Sequence, residues 1–278
     1  PVADGIKLIF KEELIPVNAD KLMFVLAPVI TVIPSLIVTA VIPWGRTVDL
    51  FGRSVHLVLS DINVAILYIM SVTSISVYGV TLAGWSSNNK YATLGGLRAT
   101  AQMISYEIAL GFAMMGPVLI AGSMSIVGIV EAQKGLWFVV PQFIAFIIYI
   151  IASLAEVNRS PFDMPEAEQE LTAGYITEYS GMKFALFFMA EYIKVIAISM
   201  IGVSLFLGGY LGPGVDQFPG LGVLYFLVKT VLWVMFIIWV RATLPRLRYD
   251  RLMAMGWKVL FPLALLNVLV TAVILLLK

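Results

Sequence analysis

The sequence has no cysteine and one histidine, His56. Without thiolates there is no disulfide, no cysteine-ligated iron–sulfur cluster and no cysteine nucleophile, and one imidazole cannot build a histidine metal site. Any redox centre that the protein works with is therefore expected on another chain. Charge is scarce: 13% of the 278 residues are Asp, Glu, Lys or Arg, and the net charge of +1 leaves no footprint for nucleic acid. No internal repeat is present, which argues against an inverted-repeat transporter. No signal-peptide pattern precedes the first apolar run, and the first residue is Pro1, so the natural start is expected upstream.

What fills the chain is apolar surface. With 60% hydrophobic residues and a mean hydropathy of +0.97, the expectation is an all-α polytopic membrane protein forming a single membrane domain over 1–278. Seven spans are expected near 22–43, 62–84, 99–121, 136–157, 182–208, 222–242 and 257–277. The domain then divides into an interfacial helix at 1–20, four spans over 22–157, an acidic loop at 158–181 and three spans over 182–278. Pro28 and Pro34 fall inside the first span, where kinks are tolerated if neighbours satisfy the freed carbonyls. Trp44, Trp85, Trp137 and Trp257 fall near span ends, as an aromatic belt would.

Residues 1–14 are too short and too charged to span. Val2, Ile6, Ile9 and Phe10 share one helical face, which reads as an amphipathic helix in the interface, with an ordinary surface helix as the plainer alternative. Twelve Lys or Arg residues flank the spans on the side of the acidic loop and four (Arg46, Arg53, Lys134, Lys278) on the other. That asymmetry puts the loop on the cytoplasmic or matrix side. The segment 85–98 reads as a polar loop with a paired glycine. The basic stretch 241–258 reads as a positive-inside anchor or an anion site.

The loop itself is unusual. Residues 155–181, AEVNRSPFDMPEAEQELTAGYITEYSG, hold six acids: Glu156, Asp163, Glu166, Glu168, Glu170 and Glu178. Asp163 and Glu166 have capping-box spacing with Pro165 in the first turn, so a short helix over 164–172 is expected. It would set Glu166 and Glu170 one turn apart on one face, where like charges titrate jointly as a proton reservoir. A merely solvated acidic loop is the alternative.

Further acids lie within the spans, where insertion costs about 2.5–3.5 kcal/mol and so demands a partner or a task. Glu107 in ISYEIAL stands about 12 Å into its helix. Glu191 in FFMAEYIKVI has Lys194 one turn on, which allows either a structural ion pair or a proton-exchanging role. Asp61, at the opposite surface, reads as a helix cap. From the loop through Glu156 to Glu107 and Glu191, the acids could form a proton path.

The runs AEVNRSPFDMPEAEQEL and GYITEYSGMKFALFFMAEY, with SYE at 105–107, resemble the NuoH family, the H-type membrane subunit of complex I, the proton-pumping NADH:quinone oxidoreductase. The resemblance implies one further membrane helix upstream and a quinone cavity touching Asp4, Arg159, Asp163, Glu166, Glu168 and Glu170. It implies a proton pathway through Glu107, Glu156, Glu178 and Glu191, and docking of the hydrophilic arm on segments 85–98 and 241–258. Quinone would be the substrate. No cofactor would be bound covalently and no metal held here, since flavin and iron–sulfur clusters belong to partner subunits of the complex. The setting would be the bacterial inner membrane or, alternatively, the mitochondrial one. Two other readings stand beside it: a stand-alone ion/proton transporter, and the homologous subunit of a membrane-bound hydrogenase.

Overall fold

The computed structural model describes residues 2–50, 53–163, 172–215 and 217–277. Among them, α1 is Val2–Phe10, α2 Lys21–Val38, α3 Ala65–Ser86, α4 Lys90–Ala121, α5 Ile126–Ala132 and α6 Phe143–Glu156. Then follow α7 (Gly181–Phe206), α8 (Gly220–Thr243) and α9 (Tyr249–Leu276), the last passing through a π turn at Gly256–Leu260. Six of these helices, α2, α3, α4, α7, α8 and α9, are long and apolar enough to cross a membrane.

The fourth expected span, 136–157, is an α-helix only over Phe143–Glu156, 14 residues and about 21 Å long. Pro141 explains the late start, because it has no N–H to give and is at home just before a helix. Ahead of it the chain turns, with Val139 N–H donating to Phe206 O at 3.0 Å. A small hairpin, β1 (Val48–Leu50) against β2 (Arg53–Val55), is the one departure from all-α among the described residues and was not expected.

The polar segment 85–98 is mostly helix rather than loop. Asn89 caps α4 by accepting the Tyr91 N–H at 3.0 Å, so the link from α3 is only residues 87–89. The glycines serve packing. A Cβ on Gly95 would lie 2.6 Å from Gly174 Cα, and one on Gly96 3.1 Å from Gly84 Cα. Asp61 is not a helix cap either: α3 begins at Ala65, and Asp61 Oδ1 accepts from Ser125 Oγ at 2.8 Å beside α5.

One proline of α2, Pro28, is handled as expected. Pro28 deprives Phe24 O of its usual donor, and Tyr179 Oη supplies one at 3.3 Å while the two rings stack at 4.1 Å. Tyr179 comes from the end of the acidic loop. It belongs to a core cluster with Phe24, Val80, Met103, Tyr175 and Phe187, so part of that loop is core. The larger cluster, around Tyr106, Tyr149, Phe206 and Phe226, joins α4 and α6 to α7 and α8.

Candidate functional site

The acidic segment does not simply lie on a surface: both described ends turn into the bundle. At the first end, α6 stops at Glu156 and the chain turns through Asn158 at φ +53°. Asn158, Arg159 and Phe162 are buried. At the second end a 3-10 turn, Gly174–Ile176, packs on Gly95 of α4 with no room for a side chain between. Apolar and aromatic residues, Phe162, Tyr175, Ile176 and Tyr179, draw these ends inward.

Between the two ends lies an ion pair. Arg159 Nη2 is 3.2 Å from Glu191 Oε2, both side chains at or below 10% exposure. The contact is coulombic rather than a directed hydrogen bond, since Nη2 meets no acceptor at good geometry. Tyr175 Oη donates to Glu191 Oε1 at 3.1 Å, and the guanidinium sits 4.8 Å over the Tyr192 ring. An ion-pair partner of Glu191 is thus Arg159 from beyond α6, while Lys194, one turn on, acts on several acids at once.

Lys194 is buried and interacts electrostatically with Glu156, Glu191 and Glu107. Both carboxylate oxygens of Glu156 are buried without a hydrogen-bond partner. A cavity of about 20 Å³ touches Glu156, Lys194, Ser35, Thr73 and Ser76, a volume that suffices for one water molecule. Glu107 accepts from Ser74 Oγ of α3 and opens into a lateral cleft of about 460 Å³ walled by Met70, Gly111 and Met115. Three carboxylates (Glu107, Glu156, Glu191) thus meet two cations (Arg159, Lys194). The set is neutral only when it holds one proton, so it can take up or release charge as a unit.

The remaining expected site residues are spread around this centre. Asp163 Oδ2 pairs with Arg246 Nη2 at 3.1 Å, strapping the loop to the basic stretch before α9. Glu178 accepts from Asn89 Nδ2 at 2.7 Å at the head of α4. Asp4 stands on α1 at a cavity of about 310 Å³ shared with Lys7, Lys11 and Phe184. Glu166, Glu168 and Glu170, and most of the short helix expected around them, lie outside the described residues. Thr172, where that helix was expected to end, has φ +52°, a left-handed conformation rather than a helical one.

Several participants went unread in the sequence: Ser74, Tyr175 and Gln102. The polar run SVTSIS within a span was the available signal for Ser74. Tyr175 and Gln102 gain their roles only through packing. Outside the spans, burial pushes the Tyr179 phenol up to about 12, a hydrogen bond with Ser86 opposing the shift.

The family model described as NADH dehydrogenase matches residues 1–272. The NADH-quinone oxidoreductase H subunit of Protochlamydia amoebophila is 51% identical over 98% of this chain and 82% of its own length. The H subunit numbered 1 of Geobacter metallireducens is 51% identical over 100% of this chain and 83% of its own. That of Thermomicrobium roseum is 46% identical over 99% and 82%. With the whole fold and the buried ionic cluster inside the matched region, the chain belongs to the H-subunit family of NADH-quinone oxidoreductase.

Proposed function

We propose that this chain is a core membrane subunit of a proton-translocating NADH:quinone oxidoreductase, an enzyme subunit that carries no redox centre itself. The observation that carries the reading is the set of three acids and two bases beneath the acidic segment, in a chain whose relatives bear that name. Its partners would be the other membrane and peripheral subunits, which hold the flavin and iron–sulfur clusters, together with quinone and the lipid bilayer.

In this reading the acidic segment forms one wall of the quinone cavity on the cytoplasmic side of a bacterial inner membrane, and the open apolar face of α1 (Ile6, Ile9, Phe10) rests in the interface. Reduction to quinol takes up two protons and alters the charge at the segment. Arg159, held between the segment and Glu191, passes that change to Glu156, Lys194 and Glu107. The relatives' names favour this over a stand-alone transporter.

Two measurements test it. Purification in mild detergent should bring flavin and iron–sulfur absorbance with the chain, whereas a lone chain driving ion exchange would overturn the assignment. In proteoliposomes of the assembled enzyme, Glu107→Gln should lower protons pumped per electron severalfold. An unchanged ratio would remove Glu107 from the path.

A further inference from the structure

Gln102 lies on α4, one turn and a half before Glu107, and is completely buried. Its Nε2 faces three acceptors: Ala155 O at 2.8 Å, Asn158 Oδ1 at 3.1 Å and Phe162 O at 2.7 Å. An amide nitrogen has two protons. Two protons are therefore shared among three acceptors, while the amide oxygen of Gln102 is itself buried and unpartnered. The three acceptors are the end of α6, the turn that follows and buried Phe162 further along the acidic segment.

The same chain shows what a fully matched junction looks like. Lys229 donates its three ammonium protons to Leu207 O at 2.8 Å, Gly209 O at 3.0 Å and Leu211 O at 2.7 Å. Three donors meet three carbonyls there, and the connection after α7 is stapled to α8. At Gln102 the count is two against three, and letting Phe162 O go leaves two donors for two acceptors.

We propose that Gln102 is a positioning residue, a latch one proton short that holds the start of the acidic segment against α4 and releases it more readily than a full set of donors would. This deepens the functional reading above, on which its role in turnover rests. Through the latch, Arg159 is kept opposite Glu191 when the segment is down and is drawn away when Phe162 disengages. Of the other ties at this end of the segment, Leu247 N–H to Pro161 O at 3.0 Å and Arg246 to Asp163 at 3.1 Å anchor it to the α8–α9 connection, and the Phe162 ring packs on Tyr106 of α4 with 5.6 Å between centroids.

The test uses the assembled enzyme and hydrogen exchange of peptides covering residues 155–163. Gln102→Met removes both donors and should speed exchange by about fivefold or more, the weight of one net hydrogen bond. Gln102→Lys supplies a third donor and should slow it by a similar factor. Asn158→Gly removes an acceptor without adding charge, at a position whose positive φ suits glycine, and should also slow it. With the segment held down, the two slowing variants should show a lower kcat at unchanged quinone KM.

A purely structural glutamine would give faster exchange in all three variants, with less assembled enzyme, and that result overturns the latch. Equal exchange in all three overturns it as well. Absence of flavin and iron–sulfur partners would refute the functional reading alone, because exchange reports on the folded chain whatever reaction it serves.

Discussion

Gly95→Ala is the sharpest probe of how the segment is seated. The new Cβ would stand 2.6 Å from Gly174 Cα and 2.9 Å from both Gly174 C and Tyr175 N, where ordinary contact begins at 3.4 Å. All three atoms are backbone, so no side-chain rotation relieves the clash and the 3-10 turn must retreat by about 1 Å. Tyr175 would carry its hydroxyl from 3.1 Å to about 4 Å from Glu191, beyond hydrogen-bonding reach.

Overpacking costs about 1–3 kcal/mol. Losing a buried hydrogen bond to a carboxylate adds about 1.5–3 kcal/mol. The better helix propensity of alanine returns about 1 kcal/mol. The seat of the segment should therefore weaken by roughly 1.5–5 kcal/mol on the sum of those terms. Gly111→Ala on the same helix is the control. Its Cβ meets only the Met70 methyl at 3.1 Å, the tip of a flexible side chain, so it should be neutral or slightly stabilising. The assay is hydrogen exchange of residues 172–181 with quinone reductase activity in the assembled enzyme. If both variants protect those residues equally and turn over equally, the close seating of Gly174 on α4 does not position Tyr175.

Other outcomes follow from the buried charges and the phenol. Glu191→Gln strands the Arg159 guanidinium and should destabilise by about 3–5 kcal/mol, while Arg159→Met combined with it should cost far less than the two single changes together; additive costs in thermal unfolding would show that the pair is not coupled. Tyr179 has a folded-state pKa raised to about 12, so the neutral phenol is favoured by the fold. Its contribution is complete below pH 10 and disappears as pH rises through 12, about 2–3 kcal/mol in all. Tyr179→Phe should flatten that alkaline limb, and an unchanged limb would place the sensitivity elsewhere.

The acids themselves were legible, because Glu107, Glu156 and Glu191 stand out against apolar neighbours in any reading of the chain. Their partners were not. Lys194 drew attention as the near neighbour of Glu191, yet the pair at 3.2 Å is made by Arg159, which reaches Glu191 only because the segment after α6 folds inward. Segment 85–98 looked like a loop because glycines and polar residues lower helix propensity; at Gly95 and Gly96 tertiary packing outweighs that preference. The late start of α6 was written in Pro141 but hidden by the apolar run around it. Gln102 carried no local signal, since its three acceptors arrive from residues more than fifty positions on.

The length of α4 has a mechanical consequence. Thirty-two residues make a rod of about 48 Å against roughly 30 Å of hydrocarbon, and its internal proline, Pro117, lies beyond Gly95, Gln102 and Glu107. Gly95 and Gln102 are seven residues apart and share one flank, while Glu107 is turned by about 140° onto another. A small twist of this axle would register on both flanks in the same instant, with no slack between them. Timing between the acidic segment and the bilayer interior then needs no diffusing messenger, only stiffness.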